Sequence, residues 1–246
     1  MSGVLIVPPV PIAAIAVSAG VDGANLATPD PREVWTVGGS ATIDLDLGAA
    51  TAIDSIYLGY TDLSAAATWT ISSATGMGLG LVVISPAAPA RAADGEGWQH
   101  CFVRLAAPVV TRYLRIAIDA AGAPFHAGIV AVGLAFEKHR ELGGGRGLID
   151  TGGRTDLPSG GFGTSSGVTK ASFSFSFVDL TDAETARLWR IARDFGTRRP
   201  LVVVEDADLP AERNDAIHYG VFARFSDYER REANATRWQL SHVEWV

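Results

Sequence analysis

Between residues 40 and 60, apolar and polar side chains alternate. Ile43, Leu45 and Leu47 interleave with Thr42, Asp44 and Asp46. A period of two places the first set on one face of a β-strand and the second on the other, with one face half-buried. Gly48 interrupts the run, and a second strand is predicted over 53–60. Further strands are predicted at 67–73, with Trp69 and Ile71 on one face, and at 98–105. At 112–119, Leu114, Ile116 and Ile118 oppose Tyr113 and Arg115. Residues 129–136 are almost wholly apolar, as in a strand covered on both sides. No segment between Trp35 and Phe136 carries a helical period. Short strands at this spacing predict a β-sandwich or jelly roll.

The pattern changes after residue 140. Residues 143–167 are rich in Gly, Ser and Thr and long for a loop inside a compact domain. They read as a linker or an extended arm crossing between domains or subunits. Beyond them Phe173, Phe175 and Phe177 alternate with Ser172, Ser174 and Ser176, a strand with an aromatic buried face. A helix follows. Thr181 is its N-cap and Glu184, three residues on, completes a capping box. Leu188, Ile191, Ala192 and Phe195 recur at helical spacing with Trp189 beside them, and Gly196 is the stop. Strands are predicted at 201–204, 219–225 and 237–245. Strand, helix and three strands make a small α+β unit with an antiparallel sheet. The resulting division is an N-terminal arm or first strand (1–22), a jelly roll (23–140), a Gly-rich linker or arm (141–168) and an α+β domain (169–246).

Composition narrows the function classes. A chain of 246 residues accommodates one large or two small domains. A hydrophobic fraction of 48% with 19% charged residues is that of a folded protein, and 27 Gly and 12 Pro supply many turns. The net charge is −7 and no Lys/Arg cluster interleaves with aromatics, which argues against nucleic acid as a partner. Cys101 is the only cysteine, so an intrachain disulfide is excluded. The apolar stretch from Val4 to Ala19 ends in a cleavage-like Ala16-Val17-Ser18-Ala19. Yet no Lys or Arg precedes Arg32, and Pro8, Pro9 and Pro11 would break a helical segment, so no signal peptide is expected. No run reaches the ~18 clean apolar residues of a membrane span, so no membrane insertion is expected.

Leu148-Ile149-Asp150-Thr151-Gly152 has the form that opens retroviral-type aspartic protease sites, in which two carboxylates share a proton. It lies in a Gly-rich segment without the later partner strand, and a turn closed by the Asp side chain accounts for it. His100, His126, His139, His218 and His242 include no helical metal-ligand spacing. His100 and Cys101, being adjacent on a strand, point to opposite faces and do not form a thiolate–imidazole pair. Asp22, Asp30, Asp44 and Asp46 offer oxygens for a structural calcium, but the alternation reads more simply as a solvent-facing row. Gly143-Gly144-Gly145-Arg146-Gly147 lacks the Gly-Lys-Ser/Thr ending of a phosphate loop. Neither a catalytic residue, a metal site nor a cofactor is expected. Sugar recognition calls for exposed aromatics at strand ends and loop mouths. Tyr60, Trp98, Phe125 and His126 meet that description and are the candidate ligand-binding residues, whereas Trp35 and Trp69 lie within strand patterns and belong to the core.

NLATPDPREVW (25–35), SATIDLDLG (40–48), IDSIYLGYTDLS (53–64), RYLRIAID (112–119) and IVAVGLAF (129–136) resemble, in order, the discoidin-like, galactose-binding-like jelly roll. The likeness covers about half the chain. Many such domains are clamped by a disulfide that the lone Cys101 cannot make, which favours a member assembled inside the cell. The family's binding loops vary, so no sugar-contact residue carries over by motif. The whole layout also resembles minor tail or baseplate (distal-tail-like) proteins of long-tailed bacteriophages and related particles. Those join such a jelly roll to a small tail-tube-like domain ending in a Trp-x-Leu…Glu strand, here Trp238, Leu240 and Glu244. The resemblance implies a structural, non-enzymatic component of a tail tip, assembled in the bacterial host cytoplasm and located in the virion tail. Its C-terminal domain would form a homo-oligomeric ring and contact neighbouring tail and hub proteins. The jelly roll would face a host-surface glycan or another tail protein. The alternative is a free bacterial carbohydrate-binding module accompanying a surface enzyme.

Overall fold

The computed structural model describes residues 3–91, 98–208 and 214–245. Along the chain run β1 (Gly3–Val7), β2 (Ala14–Val17), β3 (Trp35–Val37), β4 (Ala41–Thr61), β5 (Thr68–Ala74), β6 (Val82–Pro89), β7 (Gln99–Asp119), β8 (Phe125–Ala127), β9 (Ile129–Gly133) and β10 (Phe136–His139). They are followed by β11 (Gly145–Asp150), β12 (Gly153–Asp156), β13 (Phe162–Ser165), β14 (Thr169–Leu180), helix α1 (Asp182–Phe195), β15 (Leu201–Val204), β16 (Ile217–Phe225), β17 (Glu229–Glu232) and β18 (Ala235–Glu244). Among the described residues the protein is mainly β with one α-helix, and the chain divides into two compact units.

The first unit comprises Met1–Glu137 and Leu201–Tyr219 and is a jelly-roll β-sandwich. One sheet runs β2-β4-β7-β5-β6, with β9 on the far half of β4, and β3 and β8 form a smaller sheet. All of these pairings are antiparallel. The two strands predicted at 40–60 are a single bent strand. Gly48 adopts a left-handed φ of +78° and shifts the register against β7 between Asp46 and Thr51, without ending the pairing. The segments predicted at 98–105 and 112–119 likewise merge into β7. Buried and outward positions alternate up to Leu47, whereas from Ile53 to Thr61 every residue of β4 is buried. Ile43, Leu45, Ile53, Ile56 and Leu58 all enter one core with Leu114, Ile116, Trp35 and Phe125. Trp35 and Phe125 meet edge to face at 5.4 Å.

The apolar run 129–136, predicted as one strand, is cut in two. β9 ends at Gly133, which forms an isolated bridge with Pro9, and the N–H of Ala135 leaves the ladder to donate to Asp54 Oδ1 at 2.8 Å. The N-terminal segment supplies a true first strand. β1 is buried at every position and pairs with β15, Leu5 opposite Val204 and Val7 opposite Val202. GVLIV and LVVV are both continuous apolar runs, the signature of strands covered on both faces. This pairing draws Leu201–Tyr219 into the first unit, although it follows the helix in sequence.

The second unit comprises Lys138–Pro200 and Gly220–Val246. Its antiparallel sheet has β18 between β14 and β16, β11 outside β14, and β17 on the end of β18. Phe173, Phe175 and Phe177 are buried as the Phe/Ser alternation requires, with adjacent rings 5.1 and 5.3 Å apart. Helix α1 begins and ends where the sequence places it. Thr181 and Glu184 close both hydrogen bonds of the capping box, and Gly196 at φ +57° terminates it. Leu188, Ile191, Ala192 and Phe195 form its buried face. The Gly-rich segment is more ordered than a linker. It forms β11 and then the β12–β13 hairpin, and every residue of β11 and β12 is exposed. Among the described residues, no helix is long and apolar enough to cross a membrane.

Candidate functional site

The sandwich brings two of the four candidate residues together and buries the other two. Trp98 stands just before β7 with half of its surface (51%) exposed. His126 lies in the middle of β8, between the buried Phe125 and Ala127, so the alternation turns its ring outward. The two rings meet edge to face at 6.3 Å. Asp62, the residue after β4, holds His126 with both carboxylate oxygens. One accepts from the His126 backbone N–H and the other from the imidazole Nδ1 at 2.8 Å. A carboxylate only accepts, so Nδ1 carries the proton and, in the neutral ring, Nε2 is left as an acceptor. An indole, an imidazole and a carboxylate therefore converge from three separate loops and strands.

Phe125 is a core residue, 1% exposed and packed on Trp35. Tyr60 is also buried. Its backbone sits at φ +53°, which turns the ring inward to meet His100 edge-on at 5.0 Å. For these two, proximity to a strand end did not translate into exposure. Asp62 was missed. The only signal was a carboxylate two residues beyond Tyr60, at the point where the strand pattern stops.

The other motifs resolve into structural roles. Asp44 and Asp46, on the outward face of β4, are not simply solvated. Arg115 binds both oxygens of Asp44 at 2.7 Å, and Arg112 binds both of Asp46 at 2.8 Å. The hydrogen bonds from Arg112 hold Asp46 down at a pKa of about 2. Asp30 is held at about 2 in the same way by Arg32. Among the described residues, no group of three or more His, Cys, Asp or Glu side chains is placed to share a metal ion. Asp150 is exposed, and its side chain accepts from the Gly152 N–H at 2.8 Å, the turn expected of it. Cys101 is buried in the core, where desolvation pushes its thiol up to about 12. The neighbouring His100 faces away, toward Tyr57.

A second aromatic surface lies in the second unit. Trp189 and Tyr228 are half-exposed and pack against the buried Trp238 with ring centroids 5.7–5.8 Å apart. Clefts of about 430 and 470 Å³ open on either side of the Trp189–Tyr228 pair. The sequence places Trp189 beside the buried helix face and Trp238 on a predicted strand, but their meeting with Tyr228, in the loop before β17, is non-local.

No family model and no curated protein matches the chain. Among solved structures, chitosan-binding module 1 of a chitosanase/glucanase from Paenibacillus sp. IK-5 aligns at a TM-score of 0.41 with 12% identity, over 51% of this chain and 98% of that one. The CBM32 of AlyQ, solved with 4,5-unsaturated mannuronic acid, aligns at 0.39 with 18% identity, over 51% and 97%. CpGH89CBM32-6, from Clostridium perfringens, aligns at 0.39 with 14% identity, over 48% and 90%.

Proposed function

We propose that the chain is a non-catalytic carbohydrate-binding protein whose jelly roll presents Trp98, His126 and Asp62 to a saccharide. The observation that carries this reading is the half-exposed indole set against an imidazole that a carboxylate fixes in place. An indole face offers an apolar surface on which the C–H side of a sugar ring can lie. The imidazole Nε2 and the carboxylate edge supply the few oriented polar groups that fix hydroxyls and give specificity. The site needs no turnover and asks nothing of Asp150. A saccharide microarray probed with the wild-type chain and with Trp98→Ala tests it. The expected outcome is binding to a defined glycan class that Trp98→Ala abolishes. Equal binding by both, or none by either, would remove the reading.

A second reading, a structural component of a phage-like tail tip, draws on the exposed Gly-rich arm. There Leu148, Leu157 and Phe162 stand uncovered on β11 and the hairpin beyond it. Monomers seldom leave such a series of apolar side chains in water without a partner. This reading keeps the glycan site and adds assembly through the second unit in a virion tail. The mass of the full chain in solution separates the two readings. A monomer or a simple dimer supports the free module, whereas a closed ring of more than two copies supports the tail component.

A further inference from the structure

The outer edge of β11 pairs with no strand among the described residues, because β11 ends its sheet. Such an edge presents a row of backbone donors and acceptors that can pair with another chain. Proteins usually blunt it with charged side chains, Lys above all, with Pro or with a bulge. β11 (GRGLID) has no Lys, Pro or bulge, its register with β14 is unbroken from Gly145–Ser174 to Asp150–Thr169, and its two charges, Arg146 and Asp150, are of opposite sign. All six residues are exposed, Leu148 by 79%.

The order of side chains along this edge favours one occupant. Arg146, Leu148 and Asp150 are spaced by two and share a face of the strand. The row runs cation, apolar, anion, so it is complementary to itself when reversed. We propose that β11 pairs antiparallel with β11 of a second copy of this chain, about a two-fold axis at Leu148. That register sets Arg146 opposite the partner's Asp150, Leu148 opposite the partner's Leu148, and Asp150 opposite the partner's Arg146. On the other face Gly147 lies opposite the partner's Ile149, so a missing side chain accommodates a bulky one. Directly opposed residues in an antiparallel pair have Cβ atoms ~4.5–5.5 Å apart, close enough for these contacts. The interface is isologous, and it joins the two sheets edge to edge. Shifting the register by one residue moves the charges to the opposite face from their counterparts, so the pairing specifies its own alignment.

Sedimentation of the full chain, with charge variants on this exposed strand, tests the proposal. The wild type associates in even-numbered species. Arg146→Asp and Asp150→Arg each weaken association by at least tenfold, because each sets like charges opposite one another twice. The double variant Arg146→Asp/Asp150→Arg restores it. An equimolar mixture of the two single variants associates more tightly than either alone, since their edges are mutually complementary. Leu148→Cys forms an interchain disulfide on mild oxidation, whereas Leu157→Cys does not. A wild type that stays monomeric, a double variant as weak as the singles, or association indifferent to all of these changes would overturn the proposal. None of these outcomes depends on saccharide binding.

Discussion

The phenolic oxygen of Tyr57 lies 2.8 Å from Nδ1 of His100, inside a pocket that also holds Tyr60 and Tyr219. Tyr57 and Tyr219 stack with ring centroids 6.0 Å apart, and the His100 backbone N–H donates to the Asn214 side chain. Burial, reinforced by the nearby His218, depresses the His100 pKa to about 3, so the imidazole is neutral and Nδ1 accepts from the tyrosine hydroxyl.

This arrangement couples stability of the first unit to pH. The unfolded chain takes up a proton near pH 6.5 that the folded chain refuses until about pH 3. Stability contributed by neutral His100 is therefore complete above pH 6.5 and is lost as pH falls toward 3, at up to ~1.4 kcal/mol per pH unit. Urea unfolding between pH 7 and 4.5, where most carboxylates stay ionised, should show the decline. His100→Gln, which cannot take up that proton, should flatten it. An unchanged slope in the variant would assign the decline to other groups.

Asp46 should titrate near pH 2 in the folded protein, because Arg112 binds both of its oxygens. Arg112→Ala should return it toward 3.8, the value of an unperturbed aspartate. Carboxyl carbon shifts followed by NMR measure both. A variant in which Asp46 does not move would show that the Gly48 N–H, which also donates to it, suffices alone.

Thr181→Ala should cost about 1 kcal/mol in the second unit, since it removes the hydroxyl oxygen that accepts from the Glu184 N–H. Thr181→Ser should cost a small fraction of that. Chemical denaturation of both variants tests the claim, and equal losses would deny the hydroxyl its role.

Gly133→Ala should destabilise the first unit by about 1–3 kcal/mol. A Cβ there would collide with the backbone carbonyl of Pro8, which has no side-chain freedom with which to yield. Thermal unfolding measures the loss, and a neutral substitution would mean that the Pro8 segment moves readily.

Local patterns carried most of the fold. The β4 alternation, the Phe173–Phe177 strand and the capped helix depend on neighbours a few residues away, so their periods are visible in the chain. What escaped was non-local. That β1 pairs with β15 across nearly two hundred residues leaves no trace beyond two apolar runs. That Gly48 bends a strand without ending it depends on β7 continuing alongside. The candidate site divides in the same way. Trp98 and His126 could be named as exposed aromatics, but their meeting, and the role of Asp62, follow from how the loops converge. Tyr60 and Phe125 look equivalent to them in sequence and differ only in which way the backbone turns each ring.

Direct titration of a microarray-selected saccharide into four forms of the chain tests the central claim most sharply. The account predicts measurable binding to the wild type, loss of at least tenfold in affinity with Trp98→Ala and with His126→Ala, and no change with Trp189→Ala in the other aromatic cleft. Binding abolished by Trp189→Ala and untouched by Trp98→Ala would contradict it.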